Sequence, residues 1–191
     1  KLPNAEMYIK TTGADLSPST EMVMRGGAQR DGEIVKSNGW VVDNRKLSQE
    51  GLAEIYQSSS AMLLPTCGEG FGLSGLEAMA SGLPLIVSDY SGVREYANSH
   101  NSTLIKCDYG DHQKEFRDIG LFYERVLDNE PMAYHVGWPN IRSATLAIWM
   151  VYSNYNSAVR KARRGRSKAE FMTWDSTARN LCALLKKYGI V

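Results

Sequence analysis

A glycine-rich stretch between two short apolar runs is the feature that most constrains this chain. Residues 67–82 read CGEGFGLSGLEAMASG. Ala61–Leu64 precedes the stretch and stops at Pro65, and Leu85–Val87 follows it. This order predicts a strand, a loop, a short helix and a second strand within about thirty residues, the length of a βαβ unit. The loop therefore falls at the carboxyl end of a strand, where open α/β sheets bind ligands.

The composition of the loop indicates an anion site at the start of the predicted helix. Gly68, Gly70 and Gly72 let a ligand approach the backbone closely. A helix that begins near Leu73 leaves its first amides without intrahelical partners. Those amides and the helix dipole suit phosphate best. The helix is expected to end at Gly82, which suits the position after a helix C-cap.

Two glutamates lie at different levels of this predicted site, Glu69 in the loop and Glu77 in the helix. Carboxylates repel phosphate, so we expect both to accept hydrogen bonds from hydroxyl groups on either side of it, as an acidic residue does with a ribose in dinucleotide folds. The alternative is a tight structural turn with two solvated glutamates. The functional interpretation is favoured because the loop, the helix and both flanking strands agree.

Glu69 and Glu77 are separated by seven residues in the context EGFGL…LEAMAxGxP. This pattern resembles the nucleotide-sugar-binding half of retaining GT-B glycosyltransferases of the family 4, or group 1, type, which are related to glycogen and sucrose synthases. Residues 88–96, SDYSGVREY, resemble the next loop of the same group. The resemblance covers Ala5 to about Lys106 and returns at Phe171-x-x-Trp174, which resembles the start of the family's terminal helix.

The resemblance implies a role for each residue of the loop. Glu69 is the candidate catalytic residue, which holds donor-sugar hydroxyls close to the reacting carbon, and Glu77 accepts hydrogen bonds from the ribose. Donor binding is also implied for Gly68, Gly70, Phe71, Gly72, Leu73 and Ser74 and, at the base, for Trp40 and Val41. Ordinary packing is the open alternative for Trp40. Such enzymes stabilise the departing phosphate with fixed dipoles and cations, so neither a metal nor another cofactor is expected.

Alternating strands and helices indicate an α/β fold with a Rossmann-like, doubly wound parallel sheet, which by resemblance is the C-terminal half of a GT-B fold. Right-handed crossovers are expected to place Gly13, Trp40, Glu69 and Tyr90 along one carboxyl edge of this sheet. Strands are predicted at 5–11, 33–36, 61–64, 85–87 and 102–106, and residues 40–42 follow a turn at Asn38-Gly39. Helices are predicted at 17–25, from 48, from 73, at 92–96, from 139–140, through the basic run 160–168 and from 173.

Three further interpretations concern single residues or faces. Arg94 either reaches a ligand phosphate or forms a surface ion pair with Glu95 or its neighbours, and the ion pair is favoured. His112 and His135 are expected to be loop or packing residues, and a catalytic role is the alternative. The helix after Asn140 is expected to bury one stripe, made of Ile141, Thr145, Leu146, Trp149 and Tyr152.

The resemblance also predicts how the chain is organised. Residues 1–191 are expected to form one nucleotide-sugar-binding domain, a fragment of a two-domain enzyme. The terminal helix at about 174–188 would pack toward an N-terminal domain that carries the acceptor site. The family's phosphate-neutralising Arg and Lys precede the strand at 5–11, so the chain given starts after them. The fragment alone is therefore expected to be inactive.

The implied activity is that of a hexosyltransferase, which moves a sugar from a nucleotide-diphosphate sugar to an acceptor hydroxyl with retention of configuration. Two alternatives stay open. The first is a GT-B-type sugar-nucleotide epimerase, and the second is a nucleotide-sugar-binding module without catalysis. The sequence does not identify the base, the sugar or the acceptor.

Charge and cysteine content exclude other classes. The formal net charge is +1, which predicts no strong field for nucleic acid. The three cysteines show no metal-binding spacing and suit the reduced thiols of a cytoplasmic protein. No apolar run has membrane-spanning length. The basic run 160–168 is interpreted as a solvated helix face, and peripheral contact with anionic lipid or another polyanion is the alternative.

Overall fold

The computed structural model describes residues 2, 5–10, 34–37, 40–43, 45–111 and 135–190. The chain falls into two compact units. The first comprises residues 1–52 and 112–134, and the second comprises residues 53–111 and 135–191. Gly13, His112 and the helix predicted at 17–25 lie outside the described residues.

The first unit contains a mixed three-stranded sheet in the order β1-β3-β2. Its strands are β1 (Met7–Lys10), β2 (Ile34–Ser37) and β3 (Trp40–Asp43). Strands β1 and β2 were predicted, whereas β3 was not, and β1 pairs with β3 in parallel. The antiparallel pairing of β2 with β3 corrects the prediction of a wholly parallel sheet. Only residues 38 and 39 separate these strands, whereas a parallel crossover needs a dozen residues or more.

The second unit contains the predicted parallel sheet and confirms the α/β fold. Its strand order is β4-β5-β6, and both pairs are parallel. The boundary between the units falls within α1. The elements from here to β6 are α1 (Gln49–Ser58), β4 (Met62–Leu64), α2 (Leu73–Ala80), β5 (Leu85–Ser88), a 3₁₀ helix (Ser91–Glu95) and β6 (Thr103–Ile105).

Two further strands, β7 (Cys107–Asp111) and β8 (His135–Pro139), form a separate antiparallel pair in the second unit. His135 therefore begins a strand and is not a loop residue, which corrects that part of its interpretation. Glycine and proline are poor strand formers, so Gly137 and Pro139 leave β8 with little sequence signal. Gly137 is required by packing, because a Cβ there would lie 2.4 Å from Cγ of Tyr90.

Three helices complete the second unit, and the first and the last begin at the predicted places, whereas no start was predicted for the middle one. They are α3 (Ile141–Ser153), α4 (Tyr155–Glu170) and α5 (Trp174–Lys187). The side chains of the N-cap residues Asn140, Asn154 and Thr173 each accept a hydrogen bond from the amide three residues later, which stabilises the first turn. Gly189, with φ +66°, follows the end of α5 as predicted.

The buried stripe predicted for α3 is wrong. Ala147 and Val151 are buried and pack with Ala158 of α4 and with Ile86 and Ile105 of the sheet. Small side chains let the helices and the sheet approach closely, so they form the inner face. The residues of the predicted stripe are all exposed: Ile141, Thr145, Leu146, Trp149 and Tyr152.

The sheet is packed on both faces, as the doubly wound prediction requires. Leu85 and Val87 of β5 belong to one core cluster, together with Met79 of α2 and Ala169 of α4. Ile86, between them, belongs to the cluster that contains α3. Since successive strand residues point to opposite faces, helices cover both sides of the sheet.

Candidate functional site

The predicted ligand loop leaves β4 at its carboxyl end and enters α2 at Leu73. Since β4 and β5 are parallel neighbours, the segment that follows β5 reaches the same edge of the sheet. The Glu69 amide donates a hydrogen bond to Oγ of Ser91 at 2.8 Å, and the Gly92 amide donates to the Glu69 carbonyl at 3.1 Å. The structure therefore brings the segments of Glu69 and Tyr90 together, as predicted.

The segment after β5 packs its backbone directly on the backbone of the loop. A Cβ on Gly92 would lie 2.1 Å from the Gly70 carbonyl oxygen, so no side chain fits there. Ser91 has φ 56°, a left-handed conformation that costs a non-glycine residue free energy. Its hydrogen bond with the Glu69 amide offsets part of that cost. These two residues fix the backbone position of Glu69.

A buried tyrosine holds the other end of the loop. Gly72 has φ +78°, and a Cβ there would lie 2.8 Å from Val93 and 2.9 Å from the Tyr96 hydroxyl. That hydroxyl donates a hydrogen bond to the Gly72 carbonyl at 2.7 Å. Burial, together with the nearby Glu69 carboxylate, raises the pKa of Tyr96 to about 12. Tyr96 therefore stays protonated at neutral pH and remains a donor.

The N-terminus of α2 has free hydrogen-bonding capacity. The amides of Gly75 and Leu76 bond back to the Gly72 carbonyl, and Gly72 has no side chain to cap the helix. Among the residues that the structure describes, none accepts a hydrogen bond from the amide of Leu73 or Ser74. Two amides at the positive end of the helix dipole are thus available to an anion.

Glu77 is exposed on α2 and has one described partner. The Tyr56 hydroxyl of α1 donates a hydrogen bond to its Oε2 at 3.2 Å. Burial and the negative charge of Glu77 raise the pKa of Tyr56. Because Tyr56 contacts Oε2, Oε1 of Glu77 remains as the acceptor for a further hydroxyl.

Arg94 forms the surface ion pair that the sequence favoured, although its partner is Asp89 and not Glu95. Its Nε lies 2.8 Å from Oδ1 of Asp89. The hydrogen bond to this carboxylate raises the pKa of Arg94. The side chains are 54% and 36% exposed, so the pair contributes little to stability.

Trp40 and Val41, the predicted base-binding residues, belong to β3 in the first unit. Trp40 begins β3 and pairs with the first residue of the parallel strand β1, so it lies at the amino edge of this sheet and not at the carboxyl edge as predicted. Val41 is buried, and the roles of both residues at the base stay predictions. Asp43, at the end of the same strand, is fully buried and accepts hydrogen bonds from the Arg45 guanidinium at 2.9 and 3.0 Å and from the Tyr8 hydroxyl. The guanidinium holds the pKa of Asp43 well below its usual range.

Sequence reasoning missed the residues that support the glutamates. Ser91 and Gly92 form a pair typical of turns, but the sequence does not show which backbone they contact. Tyr56 and Tyr96 lie 21 and 19 residues from Glu77, and no local pattern links them. The Gly137 amide donates a hydrogen bond to the Cys67 carbonyl at 3.2 Å, and this contact depends on β8, which the sequence did not predict.

The described part of the chain has neither a cluster of metal ligands nor a membrane-spanning helix. It contains no group of three or more His, Cys, Asp or Glu side chains able to hold a metal ion. No helix within it has both the length and the apolar character needed to cross a bilayer. Cys67, Cys107 and Cys182 are free thiols.

Residues 7–119 match the protein family described as glycosyl transferases group 1. The serotype-specific mannosyltransferase WbdA of Escherichia coli is 36% identical over 98 residues, which cover 42% of this chain and 12% of that protein. A D-inositol 3-phosphate glycosyltransferase of Streptomyces bingchenggensis is 28% identical over 126 residues, which cover 63% of this chain and 26% of that protein. The chain thus spans a minor part of the length of these relatives.

A solved structure is similar in fold. Sucrose-phosphate synthase from Thermosynechococcus elongatus superposes with a TM-score of 0.55 and 18% sequence identity. The superposition covers 80% of this chain and 31% of the synthase. At this identity the likeness extends to the fold alone.

Proposed function

The chain belongs to the group 1 glycosyl transferases, and from that premise we propose that it binds the nucleotide-diphosphate sugar of a retaining glycosyltransferase. The observation that carries this proposal is the construction of the loop between β4 and α2. Glu69 and Glu77 flank a helix N-terminus whose amides at Leu73 and Ser74 have no described acceptor. An anion between two hydroxyl-binding carboxylates is the chemistry of a sugar diphosphate.

The two carboxylates have separate tasks in this proposal. Glu77 accepts hydrogen bonds from the ribose through Oε1, while Tyr56 holds Oε2 at 3.2 Å. Glu69 holds hydroxyls of the sugar to be transferred. Its backbone is fixed by Ser91 and Gly92, which positions the carboxylate before the donor arrives.

The diphosphate is the leaving group, and the backbone stabilises the charge that develops on it. Amides at Gly70, Phe71, Gly72, Leu73 and Ser74 form the proposed donor cradle around the positive end of α2. Preorganised donors of this kind need no reorientation during the reaction. Transfer therefore proceeds without a bound metal ion and with retention of configuration at the sugar carbon.

The rest of the enzyme completes the proposal. The chain is one donor domain in a cytoplasmic two-domain enzyme, and a further domain supplies the acceptor site and residues that neutralise the diphosphate. Helix α5 contacts that domain. This fits the exposure of Trp174, Leu181 and Leu184, which are 82%, 53% and 51% exposed. The 191 residues alone bind donor but do not transfer sugar.

Calorimetric titration of the purified protein with nucleoside diphosphates and the matching nucleosides tests donor binding. We expect one of the uridine, guanosine or adenosine diphosphates to bind about 100-fold more tightly than its nucleoside, because the amides of α2 hold the phosphates. No binding by any diphosphate, or equal binding of diphosphate and nucleoside, would contradict the proposal.

A further inference from the structure

Helices α3 and α4 form an outer surface that the donor site does not use. On the outward side of α3, three large apolar side chains are more than half exposed. Leu146 is 55% exposed, and Trp149 and Met150 are each 56% exposed. On α4 the outward positions carry the exposed cations Arg160, Arg163 and Arg164. We call these six residues the outer face.

The charge of this helix pair is one-sided. The two helices contain seven of the 22 Lys and Arg residues of the chain and one of its 21 Asp and Glu residues, Glu170, which pairs with Arg166 at 3.2 Å. The remainder of the chain therefore has 15 basic and 20 acidic residues. The net charge of the whole chain is near zero, and for that reason residues 160–168 were interpreted as a solvated helix face. The separate counts show that the helix pair is strongly basic and that the remainder of the chain is acidic.

The apolar and basic parts of the outer face lie on consecutive helices. Only Asn154 separates α3 from α4, and Val151 of α3 and Ala158 of α4 belong to one core cluster. At a rise of about 1.5 Å per residue, Trp149 and Arg163 each lie within about 14 Å of the junction along their helix axes. The three apolar side chains therefore precede this junction, and the three arginines follow it.

We propose that the outer face docks on the surface of a lipid bilayer that contains anionic lipids. Tryptophan is enriched where lipid meets water, and leucine and methionine beside it can enter the headgroup region. The arginines attract anionic headgroups, and the single acid of the two helices, Glu170, is paired with Arg166. In this arrangement α3 and α4 lie in the lipid–water interface and do not cross the bilayer.

This combination favours a membrane over the other polyanions that the basic run could bind. A nucleic acid or a soluble polyanion would need the arginines but would gain nothing from the three exposed apolar side chains of α3. A second copy of the chain would place two basic segments against each other, which opposes association.

Vesicle flotation of the purified protein tests the proposal. Two vesicle types are used, pure phosphatidylcholine and a mixture with about a third of phosphatidylserine. We expect binding to the mixed vesicles to be at least about tenfold tighter than to the neutral ones and to weaken as salt is added.

Two sets of variants separate the charge from the apolar contact. Replacement of Arg160, Arg163 and Arg164 by Ser should weaken binding to the mixed vesicles by about 100-fold. Replacement of Trp149 and Met150 by Ser should weaken it by about tenfold, because the apolar insertion is lost.

Matched controls lie on α5. Trp174→Ser with Leu181→Ser removes apolar groups that are 82% and 53% exposed, and Lys186→Ser with Lys187→Ser removes exposed charges. Both control variants should bind vesicles as the parent protein does. Thermal unfolding should be unchanged in all four variants, because every altered side chain is exposed.

Several results would overturn the proposal. One is the absence of binding to the mixed vesicles. Another is binding to the mixed vesicles that stays unchanged when Trp149 and Met150 are replaced by Ser, since that outcome indicates a polyanion site only. A third is a dimer in sedimentation analysis that the same pair abolishes, which would assign the outer face to a second copy of the chain.

Discussion

The loop between β4 and α2 and the outer face of α3 and α4 are built in opposite ways. In the loop, backbone packs on backbone, and side chains are excluded at Gly72 and Gly92. In the helix pair, small residues such as Ala147 and Ala158 are buried and large ones such as Trp149 are exposed. The loop is a preorganised site, whereas the helix pair is a stable base that leaves its large side chains free for another surface.

The comparison shows which residues determine the stability of each region. The loop depends on glycines in conformations or contacts that no other residue tolerates, so its stability is sensitive to added atoms. The helix pair depends on small buried side chains. Truncation of a buried side chain should therefore lower its stability, whereas substitution of an exposed side chain should change it little. Substitutions in the two regions test this difference.

The largest effect is expected for Gly92→Ala. Its Cβ would lie 2.1 Å from the Gly70 carbonyl oxygen, so two backbone segments must separate. We expect a loss of about 3 kcal/mol or more in the free energy of unfolding, measured in urea. Gly70→Ala is the matched control, because a Cβ there meets nothing within 4 Å. Equal losses in both variants would refute the backbone contact.

Val151→Ala and Trp149→Ser compare the two sides of α3. Val151 is 6% exposed, and its truncation should cost about 2 kcal/mol of unfolding free energy. Trp149 is 56% exposed, and its replacement should change that free energy by less than about 0.5 kcal/mol. Chemical denaturation of both variants decides the matter. A greater loss for Trp149→Ser would mean that α3 packs through its large residues after all.

Tyr96→Phe tests the hydrogen bond that holds Gly72. The change leaves a buried carbonyl without its donor and should cost about 1.5 kcal/mol. Tyr109→Phe serves as the control, because this tyrosine is 63% exposed and its hydroxyl lies 3.4 Å from its acceptor. If urea denaturation gave the two variants equal stability, the Tyr96 bond would have no structural role.

The smallest effect concerns alkaline pH. The pKa of Tyr96 is about 12 in the folded protein against an ordinary value of 10.0. Below pH 10 both states keep the proton, and above it the unfolded state loses the proton first, so stability falls as pH rises. The stability difference between the parent and Tyr96→Phe should shrink by about 1 kcal/mol from pH 9 to pH 11. A constant difference would contradict the burial of this hydroxyl.

Much of the fold could be predicted from local sequence. Gly72 and Gly82 mark the two ends of α2, and both have positive φ. Asn140 and Thr173 mark the starts of α3 and α5. These residues act within a few positions of themselves, so their meaning can be read from their neighbours.

The rest could not be predicted because it depends on distant partners. The inner face of α3 is set by its contact with Ile86 and Ile105, and hydrophobic periodicity alone selected the larger residues instead. The supports of the site, Tyr56 and Tyr96, come from other elements. The positions of Glu69 and Glu77 were predicted, but what holds them was not.

The division of labour between Glu69 and Glu77 is the central claim, and calorimetry on their glutamine variants tests it most directly. Each variant is titrated with the nucleoside diphosphate that binds and with the matching sugar nucleotide. Glu77→Gln should weaken both ligands by about tenfold or more, because a charge-assisted hydrogen bond to the ribose is lost. Glu69→Gln should leave the free nucleotide within about twofold and weaken the sugar nucleotide only, since the nucleotide has no sugar for it to hold. Equal weakening of the nucleotide by both variants, or no change in either, would contradict the account.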